Sequence, residues 1–181
     1  MIPIALSKIS HGRDAALLAC PKNAREHQLV RDAITAALAG GLRELVVPPR
    51  PELVSLPEAH HLHTPIGGRL RQPRTVLELA GALHPTPAVC GVPREAARAL
   101  IERDEAERGW YAGAIGWMDA RGDGELVVAL RSALVEDRRV VLWAGAGIVE
   151  GSDADLELAE VEAKMTALFH HPRGEAGERA A

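Results

Sequence analysis

Apolar positions recur at helical spacing from residue 25 to about 38, where Val30, Ile34, Ala37 and Leu38 fall together and Gly40 with Gly41 stops the run at an easily made left-handed cap. This predicts a helix. Two short extended segments follow, residues 42–47 closed by Pro48 and Pro49, and residues 60–64 ahead of Gly67 and Gly68. Thr75 and Glu78 stand at capping-box spacing and predict a short helix over 75–83. Pro93 suits the first turn of another helix, whose apolar stripe is Ala97, Leu100 and Ile101 and whose solvated end is the charged run 102–108. From Trp110 the pattern changes to strands at 110–118, 126–134 and 140–144, an antiparallel meander with turns at 119–124 and 136–138. Ser152 or Asp153 can cap a final helix running to about Phe169. Residues 1–19 lack clear periodicity and read as an irregular lead-in, while the polar, glycine-containing stretch 170–181 reads as a disordered tail.

Composition narrows the class. With 181 residues, 47% of them hydrophobic, the chain can bury a sizeable core as one domain or part of one. A formal charge of −4, with basic residues scattered among acidic ones, argues against nucleic acid as a partner. No run reaches the roughly 20 apolar residues of a membrane span, and the first ten residues have no signal-peptide pattern, so a cytoplasmic protein is expected. Cys20 and Cys90 are too isolated for a disulfide framework or a zinc site and are expected as thiols.

Candidate chemistry concentrates late in the chain. Glu157, Glu160 and Lys164, at i, i+3 and i+7, project within about 60° of arc on the last helix. Spacing alone favours a solvated face held by a Glu160–Lys164 pair. Just before it, Gly145 and Gly147 in AGAGIV allow close backbone approach to an anion or a tight turn. Arg131 interrupts an apolar strand pattern and, if buried, needs an anionic partner, either a structural carboxylate or one on a substrate. Among His60, His61 and His63 at least one faces inward, which admits a metal reading but without an evident fourth nitrogen or sulfur ligand.

Six stretches, in order, resemble the isochorismate synthases of the chorismate-utilising enzyme family: CPKNAREHQLV (20–30), HHLHTPIGG (60–68), LHPTPAVCGVP (83–93), GWYAGAIGWMDARGDGELVVALRSA (109–133), AGAGIV (144–149) and SDADLELAEVEAKM (152–165). The resemblance implies an α+β fold of antiparallel sheets flanked by helices, with residues 20–169 forming a partial chorismate-binding domain, the second half of the family's sandwich. It implies Glu26 and Glu160 as Mg²⁺ carboxylates with Glu157 in support, and Arg131, Lys164 and the backbone at Gly145 and Gly147 as holders of the carboxylates of chorismate. His61 resembles the family's site histidine and Thr64 its neighbour, Tyr111 lies near the enolpyruvyl group, and Ala88, where ammonia users more often have Thr, favours water addition. Lys22 and Arg25 are expected to position the loop and helix. The family's water-activating Lys and leaving-group Glu have no counterpart motif in these residues, Lys8 included, so the expectation is a truncated, split or partial isochorismate synthase sequence, with a separate chain supplying the amino-terminal half as one candidate partner. The other expectations are a different chorismate user, making salicylate, anthranilate or aminodeoxychorismate, and a non-catalytic chorismate-binding remnant or subunit.

Overall fold

The structure is a computed structural model that describes residues 2–10, 19–56 and 59–169. Its elements in chain order are β1 (Ile2–Ser10), α1 (Pro21–Ala39), β2 (Leu42–Val46), β3 (Glu52–Leu56), β4 (Ala59–Leu70), α2 (Val76–Leu83), α3 (Arg94–Asp104), β5 (Ala114–Met118), β6 (Gly124–Val128), β7 (Ser132–Glu136), β8 (Arg139–Trp143) and α4 (Ala154–Phe169). The expected tail, 170–181, lies outside the described residues.

The organising strand is β4. It pairs antiparallel with β1 along one edge, from Ile2↔Gly68 to Ser10↔His60, and along the other with β3 and then β2. Leu62, Thr64 and Ile66 alternate onto one face of it and are at most 1% exposed. Against that sheet pack Val30, Ile34 and Leu38 of α1, Leu42 of β2 and Leu79 of α2, which with Ile66 make the core. Helix α1 starts four residues earlier than its apolar spacing indicates, because Pro21 occupies the first turn, where its missing N–H costs nothing. Helix α2 begins on the expected capping box: Thr75 Oγ1 accepts from the Glu78 N–H (3.2 Å) and the Glu78 carboxylate accepts from the Thr75 N–H (2.7 Å).

Three expectations change. Residues 2–10 are a strand and not an irregular lead-in, since β4 supplies a partner that their own pattern does not announce. Gly67 and Gly68 do not end the strand at 60–64 but lie inside β4; a Cβ on Gly68 would sit 2.5 Å from the Glu44 carbonyl and from Leu42 Cδ1, so the glycine admits β2 at close range. The meander is instead two separate hairpins, β5–β6 and β7–β8. Residues 110–113 form a turn closed by the Gly113 N–H on the Trp110 carbonyl (3.2 Å), and Ala129 exchanges backbone bonds with Ala112 and Gly113. Arg131, at φ +49°, then turns the chain before β7 begins, so the alternation of 126–134 cannot run through as one strand. In α3 no residue is buried, and its stripe residue Leu100 is 51% exposed. The charged run is solvated as expected, with pairs Arg98–Glu102 and Arg108–Glu105.

Candidate functional site

Lys22 and Glu26 leave the first turns of α1 on one face, with Lys22 Nζ 3.7 Å from Glu26 Oε1. Helix α4 is capped by Asp153, whose Oδ1 accepts from the N–H groups of Asp155 (3.1 Å) and Leu156 (3.0 Å), while Ser152 Oγ instead accepts from Val149 N–H. That cap sets Glu157 in the first turn, 5% exposed, where it forms an ion pair with Lys22. One turn on, Lys164 Nζ lies 2.6 Å from Glu160 Oε1 and donates to the Gly145 carbonyl at 2.8 Å. The Glu160–Lys164 pair of the solvated-face reading is therefore present. The buried Glu157 and the link from Lys164 to Gly145 make this face part of an interior junction instead of a free surface.

The glycines of AGAGIV serve close approach. A Cβ on Gly147 would come within 3.0 Å of Glu26 Oε2, and one on Gly145 within 2.7 Å of the Tyr111 hydroxyl. Tyr111 in turn lines a cavity of about 190 Å³ with His84, Pro85, Val89 and Arg108, whose guanidinium lies 5.8 Å from the ring centroid. Burial pushes the Tyr111 hydroxyl pKa up, against the charge of Arg108. On the other side, a cavity of about 620 Å³ opens between the start of α1 and the turn at Glu150 and Gly151, lined by Lys22, Arg25 and Gln28.

Behind this junction His27, the residue after Glu26, is buried and shares a 2.7 Å hydrogen bond with Thr64 Oγ1 on β4. His61, three residues earlier on β4, is buried too. Ala88 lies exposed on the turn beside Val89. Arg131 is half-buried at the bend between the hairpins, and burial pushes its guanidinium pKa down. The structure thus gathers Glu26, Glu157, Glu160, Lys164, Gly145, Gly147 and Tyr111. Among the described residues no hydrogen bond or ion pair joins Ala88 or Arg131 to them.

Two residues of the junction carry more than their sequence reading. Burial alone would lower the Lys22 pKa, but its hydrogen bond to Glu157 and the charges of Glu157, Glu26 and Glu160 outweigh that and hold it above the usual lysine range. Glu26 and Glu157 thus pair with one ammonium, and Glu160, itself paired with Lys164, adds its charge to the same group. His27 extends the buried stripe of Val30, Ile34 and Leu38 by one step, a signal the spacing does contain. Among the described residues no three His, Cys, Asp or Glu side chains are grouped to hold a metal ion as they stand.

The sequence model described as chorismate binding enzyme matches residues 10–171. The chain belongs to this family. It is 46% identical over 159 residues to the isochorismate synthase DhbC of Bacillus subtilis, covering 87% of this chain and 40% of that protein. Among solved structures, the menaquinone-specific isochorismate synthase from Escherichia coli superposes at a TM-score of 0.77 with 35% identity, over 91% of this chain and 40% of that one. Anthranilate synthase component I from Streptococcus pneumoniae gives a TM-score of 0.77 at 29% identity, over 92% and 40%. These matches bear out the α+β class, with antiparallel sheets flanked by helices. The chain spans less than half the length of each of these relatives. No described helix of this chain is long and apolar enough to cross a membrane.

Proposed function

We propose that these residues are the cation- and carboxylate-holding half of a cytoplasmic isochorismate synthase, which converts chorismate to isochorismate once the rest of the fold is supplied. The observation that carries the reading is the convergence of Glu26 on α1 with Glu157 on α4 at the Lys22 ammonium, with Glu160 one turn further along α4 beside Lys164 and within reach of the same charge. Hard carboxylate oxygens from two helices, already gathered about a positive charge, are the donor set that Mg²⁺ takes. Bound there, Mg²⁺ would neutralise a carboxylate of the substrate. Chorismate is a dianion, and the remaining cations answer its charge: Lys164 beside the Gly145 carbonyl, with Arg131 and the backbone at Gly145 and Gly147, would hold its carboxylates. Tyr111 would lie against the enolpyruvyl group, and His61 and Thr64 would line the ring side next to Ala88. Isomerisation adds water at one ring carbon as hydroxide leaves another, so it needs a base and an acid. Neither is assigned among these residues; the proposal places both in the amino-terminal half of the fold, on the same polypeptide or on a partner chain.

The test is activity after the amino-terminal half of a relative is added or fused. Glu160→Gln should weaken the Mg²⁺ response strongly, because it removes a charge and an oxygen ligand with little change in helix propensity. Arg131→Lys should raise KM for chorismate, and Glu102→Gln on the solvated run should do neither. An unchanged Mg²⁺ response in Glu160→Gln would sink the site. A second reading, an ammonia-using relative, is favoured by the superposition on anthranilate synthase component I; an amino product formed only when ammonia is present would select it.

A further inference from the structure

Lys22 occupies a place that a helix-positioning lysine does not need. Its ammonium pairs with the buried Glu157, lies 3.7 Å from Glu26 Oε1 and senses the charge of Glu160, so it sits where the three carboxylates would meet a divalent ion. An ammonium and a divalent cation within a few ångströms repel strongly in so enclosed a setting, and the two cannot share the carboxylates. Lys22 has somewhere to go, because the same residue lines the cavity of about 620 Å³ beside Arg25 and Gln28. Its long, flexible stem allows that movement without shifting α1.

We infer that Lys22 is a built-in counter-cation: its ammonium holds Glu26, Glu157 and Glu160 together until a divalent cation enters, then withdraws into the adjoining cavity, so that Lys22 sets the affinity for that cation. The inference rests on the cation reading of the site. It assigns Lys22 as a positioning residue whose removal strengthens binding, whereas a purely structural ion-pair partner would weaken it on removal.

Mn²⁺ binding to the 181-residue chain, followed by the paramagnetic resonance signal of free Mn²⁺, tests this without any turnover. Lys22→Met, which keeps the stem and deletes the charge, should bind Mn²⁺ at least ~10-fold more tightly than the parent, and Lys22→Arg should stay near the parent. Equal or weaker binding by Lys22→Met, or tightening by Lys22→Arg, overturns the inference. The unaltered chain supplies a second measurement that does not depend on the folding of Lys22→Met: acetylation of Lys22, read by mass spectrometry, should accelerate several-fold on adding Mg²⁺, and an unchanged or slowed rate overturns the withdrawal. Glu26→Gln and Glu160→Gln separate the two levels. If neither alters Mn²⁺ binding, the cation site itself fails; if both weaken it while Lys22→Met does not tighten it, only the counter-cation role fails.

Discussion

In the sheet around β4, Leu62 and Ile66 are each 1% exposed, whereas in the two hairpins Trp117 is 59%, Val127 57% and Val135 70% exposed. The strands of both regions are rich in apolar residues, so hydrophobicity does not separate them. Partners do. β4 is paired on both edges and covered by α1 and α2, while each hairpin is a two-stranded sheet, a size that is marginal in water. Exposed apolar strands of this kind suit an interface, and the relatives are more than twice as long as this chain. The first region is covered by its own helices, and the second presents apolar strands left uncovered among the described residues.

The sharpest way to break this contrast is a pair of truncations read by denaturant unfolding. Leu62→Ala should cost about 2–5 kcal/mol, and Val135→Ala within about 0.5 kcal/mol; equal costs would mean the hairpins are already covered in solution. Next, the exposed strands should drive association. The chain should sediment as a concentration-dependent mixture, and Trp117→Lys with Val135→Lys should weaken association by roughly tenfold, while a monodisperse parent would refute the uncovered-strand view. A smaller effect is expected at the joint between the regions, where the Val76 N–H at the start of α2 donates to the Gly122 carbonyl of the β5–β6 turn. Thr75→Ala should cost about 1 kcal/mol and should speed amide exchange in α2 and that turn before it affects β4.

The smallest effect concerns pH. Burial, with the charge of Arg94 adding to it, holds the His84 pKa below the usual histidine value. A depressed pKa means that neutral His84 contributes its full stability above about pH 6.5 and loses it as pH falls through the lower folded-state value. His84→Asn should therefore slightly flatten the fall in Tm between pH 7 and pH 5, and an unchanged slope would remove His84 as its source.

The same contrast explains what could be read in the chain. Helix α1 was legible through its apolar spacing and the glycines after it, and α2 through its capping box, while the start of α1 at Pro21 was missed. Strand β1 was not, since its role depends on β4 more than fifty residues away. The break at Arg131 was hidden because a single left-handed residue leaves the alternation on either side intact. Glu157, Glu160 and Lys164 were visible as one helix face, but their relation to Lys22 arises only when α1 and α4 meet. Ala88 was visible only through the family resemblance, while Arg131 stood out as a charge in an apolar pattern whose partner the pattern left open.

Strand β4 also imposes an order in time. Its closest neighbour in sequence is β3, which it meets through Leu56↔Ala59, and its most distant is β1, which it meets through Ser10↔His60. Closing the long loop carries the larger entropic cost and requires β4 to exist beforehand. On the ribosome β1 emerges ahead of β4, so a strand made early waits for the partner that places it.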